Sequence, residues 1–184
     1  KRTFDIAPWH VATKTWDPED KRLQESMTSL ANENLGMRGF FEEGYSGDHM
    51  QGLYLGGVWF PDKTRVGWWK NGYPKYFGKT PNAPSFIGIG ITVNGEKIDL
   101  AKVKFSDFEL SLDMHQGLLS RSFIYEGKDV KVKFEFERFL HIVQKDAGLI
   151  KVKATVFEGK AKIDFVSTLD RTVVNEDRNY HECF

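Results

Sequence analysis

From Ser85 onward the hydrophobic positions recur with period two, the signature of strands with one dry face. In "FIGIGITV", Ile87, Ile89, Ile91 and Val93 fall on one side, and "NG" (Asn94, Gly95) supplies the positive φ angles of a tight hairpin turn. The chain then returns through "EKIDL" with Ile98 and Leu100. The segment "DVKVKFEFERFLHIV" sets Val130, Val132, Phe134 and Phe136 against Lys131, Lys133, Glu135 and Glu137, the alternation of a sheet wetted on one side. The phase runs on to Leu140 and Ile142 with Arg138 on the apolar side and Phe139 off it, which predicts a bulge near Arg138.

"GLIKVKATVF" repeats the pattern with Ile150, Val152, Ala154 and Val156 inward, and "AKIDFVS" follows after "EGK". Turn signals at "EGKD", "KDAG" and "EGK" make Leu118 to Ser167 an antiparallel meander. Helical periodicity is nearly absent. Only Asp17 to Glu25, "DPEDKRLQE", predicts one N-capped turn with Pro18 in its first position. A sheet with one apolar face needs a cover, and without helices the cover is a second sheet, so the expected fold is an all-β, antiparallel β-sandwich with little helix.

At 184 residues the chain is long enough for one domain, which buries about 70% of the surface exposed by its unfolded form. Its 26 basic and 26 acidic side chains cancel, which argues against nucleic acid or an anionic membrane as partner. A single cysteine, Cys183, and the lack of an Asn-x-Ser/Thr sequon fit a reducing, cytoplasmic setting. The longest near-apolar run, Gly52 to Phe60, is far short of the roughly 18 residues of a membrane span. The chain starts without methionine and stops at "NEDRNYHECF", so a piece of a longer polypeptide is expected.

Candidate chemistry is sparse. His10, His49, His115, His141 and His181 never fall at the spacing of a helical metal site, and no metal or cofactor is expected. "GIGITVNG" has Val93 where a dinucleotide fingerprint needs its third glycine, and "GYSGD" has Asp48 where a nucleophile elbow closes with glycine. Glu42, Glu43 and Asp48 in "FFEEGYSGDHMQG" are the acid/base candidates for a glycosidic bond. Adjacent glutamates in an extended segment point to opposite faces, so a solvated turn is the simpler expectation.

The stretch "TRVGWWKNGYPKYFGKTPNAP" crowds aromatic residues among glycines and prolines. Trp68, Trp69, Lys70, Asn71 and Tyr73 form either a stacking platform for a sugar or, with Tyr76 and Phe77, anchors against another domain or subunit. The interface is favoured.

The residues from Glu25 to Ile89 resemble the N-terminal region of the disaccharide phosphorylases of glycoside hydrolase family 65. Ser29, Leu30, Ala31, Asn32, then Leu35, Gly36, Met37, Arg38 and Gly39, follow that family's strand-turn-strand signature, with Glu33 where glycine is usual. Pro61 to Phe77 is most similar to the maltose-specific members, and Leu112 to Phe123 resembles the family's next strand pair. The resemblance implies an N-terminal β-sandwich of the super-sandwich type, present here incompletely, with residues 1–184 lacking the (α/α)6 barrel that carries catalysis. It implies as partners that barrel, a second subunit in a homodimer and a disaccharide, with inorganic phosphate as co-substrate and no catalytic residue in this chain. A free-standing carbohydrate-binding module, a self-sufficient glycosidase using Asp48, and kojibiose, nigerose or trehalose as the disaccharide are the alternatives.

Overall fold

The computed structural model describes residues 3–63 and 74–175. The chain enters through β1 (Asp5–Ala7) and β2 (His10–Thr13), then a 3-10 turn and helix α1 (Lys21–Met27). Five short strands follow: β3 (Leu30–Ala31), β4 (Leu35–Met37), β5 (Leu53–Leu55), β6 (Phe60–Lys63) and β7 (Tyr76–Lys79). The remaining strands are β8 (Ile89–Val93), β9 (Glu96–Lys97), β10 (Phe105–Asp113), β11 (Leu118–Gly127), β12 (Val130–Leu140), β13 (Gly148–Glu158) and β14 (Ile163–Ser167).

The strands form a six-stranded sheet in the order β1-β2-β10-β11-β12-β13 and a three-stranded sheet β14-β8-β9, all antiparallel. Ile91 and Val93 from the small sheet share one core with Phe123, Tyr125, Val132, Phe134 and Phe136 from the large one. Burying each such side chain contributes about 1.5–3 kcal/mol, so the expected all-β sandwich is the observed one. Smaller sheets, β3-β4-β5 and the ribbon β6-β7, are appended to it.

The "NG" hairpin forms as its sequence dictates, with φ of 51° at Asn94 and 87° at Gly95 between β8 and β9. β12 keeps its alternation, but no bulge interrupts it near Arg138. Its pairing is continuous from Val130 to Phe139 with β11 and from Val132 to Leu140 with β13, and the register shift, on the β13 side, lies between Lys131 and Val132. Arg138 holds its inward place because a buried carboxylate partners it, so the backbone has no reason to eject it. The strand ends at Leu140, and Ile142, expected to continue the dry face, is 81% exposed.

The meander also ends sooner than its sequence suggests. β13 closes the large sheet, and β14 crosses to pair with β8, with Ile163 opposite Val93 and Phe165 opposite Ile91. As edge strands, both leave inward residues half covered, including Val156 and Phe165.

The expected capped turn is present and longer. The Asp17 carboxylate accepts from the Glu19 amide and Pro18 opens the turn, which runs on into the seven residues of α1. The helix buries Lys21, Gln24 and Glu25 and leaves Leu23 and Met27 exposed. Polar side chains occupy its inner face, which is why the apolar periodicity of a helix is missing.

Candidate functional site: a buried ionic cluster and the signature turn

The segment Phe40–Glu43 lies inside the fold rather than on its surface. Phe40, Phe41, Glu42 and Glu43 are all buried, the Glu42 carbonyl accepts from the Ile89 amide at 2.8 Å, and the Phe40 carbonyl accepts from Arg138 Nη2 at 2.9 Å. The expectation of a solvated turn is therefore overturned. Glu42 and Glu43 sit in a turn, not an extended stretch, so their carboxylates converge instead of diverging.

Both reach Arg121 on β11. Arg121 donates to Glu43 through Nη1 at 2.8 Å and again through Nη2, which also donates to Glu42 at 2.9 Å. On the far side, Arg138 Nε is 3.3 Å from Glu42 Oε1. Aromatic faces enclose the charges: the Arg121 guanidinium lies 4.0 Å from the Phe41 ring centroid and 4.2 Å from that of Phe136. Lys21 Nζ lies 3.8 Å from the Phe41 centroid and pairs with Glu25, whose other oxygen accepts from the Met50 amide at 2.7 Å.

The cluster thus holds three buried cations and three buried anions. Burial pushes the Lys21 ammonium down to about 8, with Glu25 opposing. Burial works to raise the Glu42 carboxyl, but Arg138 and Arg121 outweigh it and hold that group below the usual range. Burial, with Glu42 alongside, pushes Glu43 up despite Arg121. These carboxylates neutralise arginines in a site closed to solvent, so neither is placed to protonate a sugar oxygen.

Asp48 lies apart from them, at the surface, where Arg22 holds it through Nε at 2.8 Å and Nη2 at 2.6 Å. Trp68, Trp69, Lys70, Asn71 and Tyr73 lie outside the described residues. The ribbon β6-β7 is described, and it carries exposed Phe60 and Tyr76, with exposed Trp59 just before it. Among the described residues no three His, Cys, Asp or Glu side chains converge as metal ligands would. No helix there is long and apolar enough to cross a membrane.

Sequence reasoning missed Arg121, Lys21 and Glu25, and it assigned Arg138 to a bulge rather than to a buried ion pair. The signal for the arginines was present: each stands at an inward position of a strand, Arg121 in phase with Leu119 and Phe123, Arg138 with Phe134 and Phe136. A charge in the dry phase of an unbroken strand announces a buried counter-charge elsewhere.

The signature turn has its own logic. Asn32 Oδ1 accepts from the amides of Asn34 at 2.9 Å and Leu35 at 2.7 Å, which closes the turn without a left-handed residue at Glu33. Glycine is therefore not needed there, and Glu33 instead pairs with Lys145. Asn32 Nδ2 donates to the carbonyls of His141 and Lys145, both at 2.9 Å, tying the turn to the loop between β12 and β13. Gly39 is required, because a Cβ there would lie 2.0 Å from Thr28 Oγ1. Its amide donates to the Glu25 carbonyl at 2.8 Å, joining the end of the signature to α1.

A maltose phosphorylase from Bacillus subtilis (strain 168) is 52% identical over 184 residues, which is 100% of this chain and 24% of that protein. A kojibiose phosphorylase from Thermoanaerobacter brockii is 27% identical over 91% of the chain and 20% of its own length. A solved structure described as a putative kojibiose phosphorylase from human microbiome superposes with a TM-score of 0.72 at 31% identity, covering 84% of this chain and 21% of that one. The chain thus spans a quarter or less of the relatives it matches. The profile described as "Glycosyl hydrolase family 65, N-terminal domain" fits residues 11–184, and on that match, which takes in almost every residue of the sandwich, the chain belongs to this family.

Proposed function

We propose that this domain is a non-catalytic scaffold of a cytoplasmic, dimeric maltose phosphorylase, in which a separate helical barrel transfers glucose from maltose to inorganic phosphate with inversion. The observation that carries the reading is the burial of Glu42 and Glu43 against Arg121 and Arg138. Inversion needs an acid on one face of the sugar and an attacking group on the other, both reachable by substrate. Carboxylates closed off and neutralised by arginine serve the fold instead. Maltose is favoured over kojibiose by 52% identity against 27%.

The domain is proposed to be completed by further strands in the longer protein. Among the described residues its small sheet has three strands facing six, and the inward-facing Val156 and Phe165 on the outermost of these strands are 38% and 46% exposed. Additional strands alongside β14 and β13 would cover them.

The test is an assay for glucose and β-glucose 1-phosphate from maltose and phosphate, with the longer polypeptide that contains these residues and with this chain alone. The longer protein is expected to form both products and this chain neither. Turnover by this chain alone, or a preference of the longer protein for kojibiose, overturns the reading. Titration of this chain with maltose, followed by tryptophan fluorescence, is expected to give no response at millimolar sugar, and a saturating response would identify a carbohydrate-binding module instead.

A further inference from the structure

The hairpin turn Asn94-Gly95 is tied to a segment far away in sequence. Asn94 Oδ1 accepts from the Lys162 amide at 2.8 Å, and Asn94 Nδ2 donates to the Lys160 carbonyl at 3.2 Å. The Asn94 main-chain amide donates to the Lys162 carbonyl at 2.8 Å. Residues 159–162 carry the chain from β13 in the large sheet to β14 in the small one, so Asn94 fastens the small-sheet end of that crossover. The other end is fastened by shape. Gly159 has a φ of 77°, and a Cβ there would lie 2.0 Å from the Asp129 carbonyl oxygen in the turn between β11 and β12.

The same dipeptide carries a reaction of its own, because no Cβ on Gly95 crowds the approach of its amide nitrogen to Asn94 Cγ. The N–Cγ bond forms, the Cγ–Nδ2 bond breaks, and Nδ2 leaves as ammonia with the proton given up by the Gly95 nitrogen. Water then opens the cyclic imide at either carbonyl, leaving aspartate or isoaspartate, and the ring nitrogen takes back a proton. Both residues are exposed, so water has access. What the fold withholds is rotation. Closing the ring requires Asn94 to turn about ψ and about its side-chain bonds. The pairing of Val93 with Glu96 across a turn with φ of 51° and 87° fixes the first, and the two bonds to the crossover fix the second.

We propose that Asn94 is a modification site, deamidated by the Gly95 nitrogen and water and gated by the crossover that it fastens. While residues 160–162 grip the carboxamide the site is silent, and when they let go the reaction is open. The product cannot restore the latch. Either acid presents an oxygen where Nδ2 donated, facing the Lys160 carbonyl oxygen. Isoaspartate also inserts a methylene into the main chain of a two-residue turn whose length sets the register of β8 with β9. A passing release of the crossover is thereby written permanently into the chain. The second Asn-Gly pair of the sequence, Asn71-Gly72, lies outside the described residues and is distinguished by its own peptide.

The experiment follows deamidation of Asn94 by peptide mapping and mass spectrometry. The longer polypeptide that carries these residues is held at mildly alkaline pH, folded and in concentrated urea. Hydrogen exchange of the Lys162 amide, which is donated to Asn94 Oδ1, reports release of the carboxamide in the folded sample. Folded protein is expected to deamidate at Asn94 at least about tenfold more slowly than unfolded, as befits a reaction reached through local opening. Equal rates in the two states overturn the proposal, and so does an unfolded chain that leaves Asn94 intact. Gly159→Ala pushes the crossover off the Asp129 carbonyl without altering either reacting residue. It is expected to speed Lys162 exchange and Asn94 deamidation by the same factor while amides in the middle of β12 stay protected. A change in either rate without the other overturns the gate. Where the variant loses protection in β12 as well, or moves neither rate, wild-type protein in sub-denaturing urea decides. Deamidation is expected to rise there with Lys162 exchange, and deamidation that waits for the exchange of β12 overturns the proposal.

Discussion

Arg138 Nε and Glu42 Oε1 lie 3.3 Å apart with both side chains shut off from solvent, one on a central strand and the other in the turn that plugs the sandwich. The pair joins the large sheet to the signature region, and its neighbours Arg121 and Glu43 do the same from the next strand. The energetic consequence is asymmetric: breaking such a network is costly, whereas replacing it whole with apolar groups need not be.

Arg121→Ala is therefore expected to destabilise the domain by about 3–5 kcal/mol, because Glu42 and Glu43 lose the cation they share. Arg121→Met combined with Glu43→Gln, with Glu42 kept as the partner of Arg138, should recover most of that loss. Urea denaturation of the two variants beside the wild type checks both statements, and equal losses in the two would refute the ionic account.

Lys21 predicts a pH dependence with a definite sign. Below about pH 8 its ammonium is charged in folded and unfolded chains alike, and the penalty of burying it is fully present. Between about 8 and its ordinary 10.5 the unfolded chain retains a proton that the folded one has released, so stability rises with pH. Urea midpoints should climb from about pH 7.5 to about pH 9.5 in the wild type and stay level in Lys21→Met over that interval. Stopping there avoids Tyr125, whose phenol is pushed up to about 12 by burial and by Glu96 and would act in the opposite direction.

Two glycines of the signature should behave differently. Gly39→Ala drives a methyl group to 2.0 Å from Thr28 Oγ1 and 2.9 Å from the Thr28 carbonyl, and a loss of about 1–3 kcal/mol or more is expected. Gly36→Ala, where the nearest atom is Tyr54 Cβ at 4.0 Å, should lie within about 1 kcal/mol of the wild type. Thermal unfolding of both variants makes the comparison.

Asn32→Asp separates the two jobs of that side chain. The carboxylate still accepts from the Asn34 and Leu35 amides, but the donor to the His141 and Lys145 carbonyls is gone. Amide exchange should accelerate across residues 141–147 and remain nearly unchanged at Asn34 and Leu35. Acceleration at both places would show that the turn and the loop open together.

What the sequence revealed and what it hid divide along one physical line. Alternation along β12 and the Asn94-Gly95 turn are local patterns, visible within ten residues, and they form as written. Arg121 and Glu43 are separated by 78 positions, and nothing near either one names the other. Without its partner, Arg138 looked like a residue that had to be expelled, and Glu42 and Glu43 looked like solvated turn residues. The helix was shortened in the same way, since the inner face formed by Lys21, Gln24 and Glu25 carries no apolar stripe to detect.

On the outer face, β12 and β13 join Glu135 to Lys153 at 2.9 Å and Glu137 to Lys151 at 3.0 Å, with Thr155 opposite Lys133. Sliding β13 two residues in one direction would set Lys153 against Lys133 and leave Glu137 facing Leu149, while a slide of one residue would turn every core side chain outward. The charges on the wet face thus favour the same alignment of this hairpin that the dry face requires, each pair adding a small term to the choice of register.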